Sequence, residues 1–388
     1  MATAGFKTES PFVKRDERTH DASDLKYQKF LDTVSGAVSN KKTVVMALFG
    51  VGRAGGIHLG NLMAHSSIRL KYVVESDQRK WKQIQSVCGD GTKIYGHADQ
   101  VKEMLSDPEL NACVICTPTF THKDIILQCL EAGKAVFSEK PIGETPEDTK
   151  VCYMTAEKVN RPLFCGFQRR FDPTFSDIQS RVRKGEAGHI QIIKSISRDS
   201  PLPSIEYLKI SGGIFHDCMV HDIDMQTWVL GELPSQVHTM ANAQIPEIAE
   251  IDDYDNVVTT LKFPSGTLGI INVNRFAAYG YDQRLEVFGM KAMYEADNGR
   301  PNTAVYSTST GASSVPIYHS FPSRYEESYA AEMDCFVDVV NGTKELPITY
   351  LHSSVVSKIA DAAEKSAREG VPVDLTWEKS EVPQGYYC

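Results

Sequence analysis

From Thr43 onward the chain alternates short unbroken apolar runs with stretches in which apolar residues recur every three or four positions. The unbroken runs predict strands buried on both faces at 44–49, 70–74, 112–116, 135–137 and 163–165. The longer-period stretches between them predict helices at 57–65, 78–87, 122–132 and 146–159. Strand–helix alternation of this kind implies an α/β unit, a doubly wound parallel sheet with right-handed crossovers. Beyond Phe171 the texture changes. After a helix at 175–184, period-two runs at 190–197, 236–243, 256–263, 266–276 and 284–288 predict a large, mostly antiparallel sheet, and Pro264-Ser265-Gly266 is a turn between two of its strands. Helical spacing returns at 325–340 and 353–368. The pattern divides the chain into an extension (1–40), an α/β domain (41–165) and an α+β domain (166–388). In the extension, Tyr27, Phe30, Leu31, Val34 and Val38 predict a short amphipathic helix.

At 388 residues the chain is longer than one ordinary core, which agrees with two domains. Its net charge of −9 argues against nucleic acid or an anionic membrane as the main partner. The longest apolar runs fall far short of the roughly 20 residues of a membrane span, and the charged N-terminus lacks the apolar core of a signal peptide. Nine cysteines, an odd count scattered singly through apolar segments, suit reduced thiols in a cytoplasmic protein. Cys113 and Cys116 are spaced as a CxxC, but three residues along a strand they face opposite ways and share no metal.

Directly after the first strand comes Gly50-Val51-Gly52-Arg53-Ala54-Gly55, a glycine turn opening a helix. Such a turn lets a pyrophosphate approach the backbone, where the helix N-terminus stabilises it. Glu75 ends the next strand, placed to accept hydrogen bonds from an adenosine ribose and to repel a 2′-phosphate, favouring NAD over NADP. Ser76, Arg79 and Lys80 follow closely and leave NADP disfavoured rather than excluded. Thr117-Pro118 ends a further strand before His122. It is either a contact to the nicotinamide ribose side or an ordinary strand-to-helix turn capped by Thr121. The run Val136-Phe137-Ser138 stops at Glu139-Lys140-Pro141, and Pro141 ends the ladder. Lys140 thereby stands where open α/β sheets bind ligands, or is a solvated surface charge. In Ser211–Met225 the apolar positions mark a buried helix, with Asp217 and His221 four apart on one face. The pair is either an oriented acid–base couple or a core-satisfying one. Asp217, His221 and Asp224 also have a metal-ligand spacing, but no further ligand cluster accompanies them, so no metal is assigned.

The glycine turn, the Glu-Lys-Pro strand end and the Asp-x-x-x-His helix, in this order, resemble the Gfo/Idh/MocA oxidoreductase family. Gly166–Asp172, Ser197–Pro201, Tyr207–Gly213 and Tyr279–Asp282 add to the likeness, which runs from about Thr43 to about Val373. The resemblance implies a Rossmann domain followed by an open-faced sheet that serves as substrate lid and as the surface of a homodimer or homotetramer. It implies Lys140, Asp217 and His221 as the catalytic group. Around the cofactor it implies Gly50, Gly52, Arg53, Ala54, Gly55, Glu75, Thr117, Pro118, His122, Glu139 and Lys140. It also implies NAD-dependent oxidation of a secondary alcohol on a small cyclic polyol such as myo-inositol. Here His221 takes the proton, Lys140 stabilises the oxygen, and Asp217 positions the polyol and orients His221 and Lys140. Arg169, Asp199 and Tyr281 are expected on the remaining hydroxyls. Some relatives carry His and Asn where Ser197 and Asp199 stand, which leaves the hydroxyl contacts open. Other members oxidise scyllo-inositol, aldoses or dihydrodiols, act as NAD-assisted glycosidases, or sense nucleotides without catalysis.

Overall fold

Two sheets account for the fold, and each follows from the burial its strands require. A computed structural model describes residues 42–388, so the helix expected between Tyr27 and Val38 lies outside the described residues. The first sheet comprises β1 (Val44–Phe49), β2 (Ile68–Val74), β3 (Lys93–Tyr95), β4 (Ala112–Ile115), β5 (Ala135–Glu139) and β6 (Leu163–Gly166). Its order is β3-β2-β1-β4-β5-β6 and every pairing is parallel. β1 and β4 are buried at every position because helices cover both faces, as their unbroken apolar runs require. Among the helices are α1 (Arg53–Ala64), after β1, and α2 (His122–Glu131), after β4. The strand order reverses between β1 and β4, and the crevice at their C-terminal ends is where such sheets bind ligands. β3 is three residues long, and neither it nor the eight-residue helix Ala98–Leu105 after it was among the elements expected from the sequence.

The second sheet contains β7 (Ile190–Arg198), β8 (Gln236–Asn242), β9 (Asn256–Lys262), β10 (Leu268–Asn274), β11 (Asp282–Gly289) and β12 (Met293–Ala296). A small hairpin of β13 (Val305–Thr308) and β14 (Gly311–Ser314) follows, and β15 (Val373–Asp374) closes the large sheet, ordered β12-β11-β7-β10-β9-β8-β15. Only β7 and β10 pair in parallel there. The inward residues of β9 alternate with exposed ones, the period of a sheet covered on one face. The covering helices are α3 (Val220–Leu230) and α5 (Tyr350–Glu369), whereas α4 (Glu326–Val340) returns to pack against α1. The far face leaves Met240, Val258, Phe288 and Met293 exposed. No helix among the described residues is long and apolar enough to cross a membrane.

Candidate active site

At the switch point the chain leaves β1 through Gly50 with φ of +80°. A Cβ there would stand 2.9 Å from the Cys116 carbonyl oxygen and 3.0 Å from Thr117 Cγ2, so the ends of β1 and β4 admit only glycine. A Cβ on Gly55 would meet the Gly50 carbonyl at 2.1 Å. Gly52 differs: nothing lies within 4 Å of where its Cβ would be, and it caps α1 without a side-chain acceptor. An open backbone surface before free N–H groups of α1, from Arg53, Ala54 and Gly55, fits a pyrophosphate. Arg53 itself stacks on Phe321, 4.7 Å from the ring centroid, and donates to Ser320 Oγ at 3.3 Å.

Glu75 is buried and accepts from Val51 N–H and Asp77 N–H, both at 2.9 Å, with Lys80 Nζ 3.4 Å away. The carboxylate expected at the ribose is therefore also the brace of the glycine turn. Asp77, which the sequence reading passed over, grips Arg79 through both oxygens at 2.8 and 2.9 Å. The Arg79 hydrogen bond pulls its pKa down to about 2. Arg79 and Lys80 are thus each paired with a carboxylate beside the cradle.

The ends of β4 and β5 are tied together by His122. Its Nδ1 lies 2.7 Å from the Pro141 carbonyl oxygen and its Nε2 2.8 Å from that of Thr117, and the ring is buried. His122, expected on the cofactor, stands between these two protein carbonyls as a strut between the strand ends. The Thr117 hydroxyl is 2.7 Å from that of Thr121, while Pro118 caps the 3-10 turn that leads into α2.

Lys140 leaves β5 and reaches the other sheet's helical layer, where Nζ donates to the Asp217 carbonyl oxygen at 2.5 Å and lies 3.3 Å from Asp217 Oδ1. Asp217 also accepts from Tyr207 OH on Oδ1 and from Arg275 Nη1 on Oδ2, each at 2.8 Å. Burial disfavours its ionised form, but the charges of Lys140 and Arg275 and hydrogen bonds from Arg275 and Tyr207 prevail and hold the carboxyl below its usual range. Arg275 is fully buried, donates to Asp253 at 3.0 Å, and had no place in the sequence reading. A signal existed: Arg275 continues the inward phase of Ile271 and Val273 along β10, and a buried guanidinium requires carboxylates.

The expected stacking of Asp217 on His221 is not found. Residues Phe215–Met219 form a π-helical turn ahead of α3, which holds more residues per turn than an α-helix, so a four-residue spacing no longer aligns. No hydrogen bond joins the two side chains. His221 Nδ1 is buried without a partner, and the ring meets Phe167 edge-on at 6.2 Å. Burial lowers its pKa well below the ordinary imidazole value, and the charges of Lys140 and Arg169 lower it further. His221 is accordingly neutral at pH 7, first through burial and then through the neighbouring cations.

The remaining candidates divide. Arg169 is buried, donating to Ser197 Oγ at 3.0 Å and to Asp222 at 3.3 Å, and Ser197 donates to Asp222 at 2.7 Å. Arg169 and Ser197 thus belong to an internal network. Asp199 has the Cys218 thiol as donor at 3.3 Å and is only half-buried. Tyr281 lies edge-on to Tyr325 at 6.0 Å. Asp224 is committed to Arg170 at 2.6 Å, so it does not converge with Asp217 and His221 on a metal.

The model of an oxidoreductase family with an NAD-binding Rossmann fold matches residues 44–167, and that of the GFO/IDH/MocA C-terminal domain matches 175–295. The chain belongs to the GFO/IDH/MocA oxidoreductases. It is similar to an inositol 2-dehydrogenase of Rhizobium meliloti, at 34% identity over 84% of this chain and 98% of the relative. An uncharacterized Bacillus subtilis oxidoreductase, YrbE, is also 34% identical, over 86% of this chain and 97% of its own length. Among solved structures, a putative myo-inositol dehydrogenase from Sinorhizobium meliloti superposes with a TM-score of 0.82 at 33% identity, covering 86% of this chain and all of its own. A scyllo-inositol dehydrogenase from Lactobacillus casei, with bound NAD(H) and scyllo-inositol, gives 0.78 at 25% identity, covering 86% and 99%. The protein is thus an NAD-binding oxidoreductase.

Proposed function

We propose that the protein oxidises a secondary alcohol of a cyclic polyol, most simply myo-inositol to its 2-keto product, with Lys140 and His221 acting on the reacting oxygen. The supporting observation is that Lys140, fixed at the end of β5 beside the switch point, is tied to the carbonyl and carboxylate of Asp217 while its charge bears on a neutral, half-buried His221. Relatives that share this architecture are named as inositol dehydrogenases.

An ammonium has three N–H donors. Two of those on Lys140 face Asp217, and the third is left to hold the substrate oxygen and stabilise its developing negative charge. His221 takes the hydroxyl proton on Nε2, since Nδ1 is buried. Asp217, held by Arg275 and Tyr207, fixes Lys140 and offers an acceptor to a neighbouring hydroxyl. Asp199 and Tyr281 supply the further polar contacts. NAD, when bound, accepts the hydride from carbon. Because Glu75 and Asp77 already neutralise Lys80 and Arg79, a 2′-phosphate meets carboxylates without free cations, which favours NAD over NADP.

In this reading residues 41–165 bind the dinucleotide and 166–388 provide the substrate side and a sheet face that copies of the chain cover, since Met240, Val258, Phe288 and Met293 are exposed together there. Nine free cysteines support a cytoplasmic setting. The test is a steady-state panel of myo-inositol, scyllo-inositol, aldoses and dihydrodiols with each cofactor, followed by absorbance of the reduced nicotinamide. NAD-dependent turnover highest on an inositol is expected; turnover only on an aldose or dihydrodiol, or none, would overturn the reading.

A further inference from the structure

Beneath Lys140 lies a group of ionisable side chains that the mechanism does not use. Glu139, the residue before Lys140, turns its Oε1 toward His58 Nε2 at 2.7 Å. His58 sits on α1 and is fully buried, between the ring edges of Phe137 at 5.0 Å and Tyr329 at 5.5 Å. Its second nitrogen, Nδ1, is buried without a partner. Tyr329 and Glu332 are three residues apart on α4, the helix packed against α1, and so share a face. Glu332 is fully buried and neither of its oxygens has a partner.

Three elements from distant parts of the chain thus bring two carboxyls and an imidazole into the packing between α1, β5 and α4. Two ionised carboxylates cannot share such a place without a cation, and the charge that acts on Glu332 is that of Glu139. Burial, and then the charge of Glu139, raise the Glu332 pKa well above the carboxylate range, which favours its neutral form. Tyr329, Cys116 and Cys165 are the other titratable groups on which both carboxyls act, and each is held in its uncharged form mainly by burial. His58 Nε2 and Glu139 Oε1 share one hydrogen bond, and it is the contact that ties α1 to the end of β5.

We propose that His58 and Glu332 are positioning residues which, with Glu139, form a buried proton-holding trio. The trio keeps Glu139 clamped to α1, fixing the strand end that carries Lys140 against the helix that opens at the dinucleotide turn. It couples the two halves of the site: loosening His58 frees both Glu139 and the start of the Lys140–Pro141 turn. The inference rests on Lys140 and the cradle as described above, but not on which polyol is oxidised, so its readouts need no substrate.

The first test is an infrared difference spectrum of the full chain against Glu332→Gln at pH 7. The wild type should show a protonated-carboxyl C=O band that the variant lacks; carboxylate bands alone would overturn the proposal. The second is NAD affinity by direct titration. Replacing His58 with Leu leaves the Glu139 charge without its donor and should weaken binding about tenfold, with His58→Gln recovering most of the loss, because its amide can still donate. Combining His58→Leu with Glu139→Gln should cost no more than the worse single change, since both break one interaction. Unchanged NAD affinity in His58→Leu, or full additivity in the pair, would remove the trio from the site. If His58→Leu fails to fold, the Glu332→Gln spectrum and the NAD titration of Glu139→Gln, expected to be weakened about tenfold and overturning the proposal if unchanged, still decide.

Discussion

The two sides of the crevice are built differently. On the dinucleotide side, function rests on backbone: Gly50, Gly52 and Gly55 lie within six consecutive residues, and the helix dipole and free N–H groups follow from local geometry. On the proposed substrate side, the arrangement rests on charge placed by the whole fold. Asp217 from a π-turn meets Lys140 from β5, Arg275 from beyond β10 and Tyr207 from a separate short helix. The first kind of site is written in adjacent residues and tolerates almost no backbone change. The second is a balance of buried charges, and removing one partner exposes the others to an energetic penalty.

Lys140→Met should give the largest effect, lowering kcat by about 10²–10³-fold, since it deletes the one donor offered to the developing oxyanion. NAD binding should change little, and near-normal polyol oxidation by that variant would refute the assignment. Arg275→Met should lower stability by about 3–5 kcal/mol, because it leaves Asp253 without its cation and Asp217 with Lys140 alone. Chemical denaturation measures it, and a loss below about 1 kcal/mol would show that the charge balance is not what holds this side together. A smaller pair of effects separates the glycines. Gly50→Ala should lower stability by about 1–3 kcal/mol through its positive φ and the clash with β4. Gly52→Ala, with open space around its Cβ, should leave the melting temperature alone and raise the KM for NAD. Equal behaviour of the two would erase the distinction between a structural and a ligand-facing glycine.

The same contrast explains what could be read in the sequence. The parallel sheet, the glycine turn and the strand end at Lys140 follow from runs of fewer than ten residues, so their physics is local. The second sheet was legible from its period of two, including the continuation of β10 to Arg275, but not the meaning of a charge at that inward position. Asp217 and His221 were both marked, yet their relation was misjudged: the segment reads as a regular α-helix, and nothing in its composition announces the π-turn that separates them. His122 and Arg169 were marked as ligand contacts, and their internal partners went unseen, because those partners are set by elements far away in the chain. His58 and Glu332 were passed over for the same reason: they are buried in one layer only when α4 returns to α1.

The most direct test of the division of labour between Lys140 and His221 is the pH dependence of kcat/KM for the preferred polyol. His221 is the proton acceptor only in its neutral form, and burial with the charges of Lys140 and Arg169 depresses its pKa. Activity should therefore stay level as pH falls through about 6.5, the ordinary imidazole value, and decline only below it. An acid limb at or above that value would mean that the proton goes to a group other than the His221 described here.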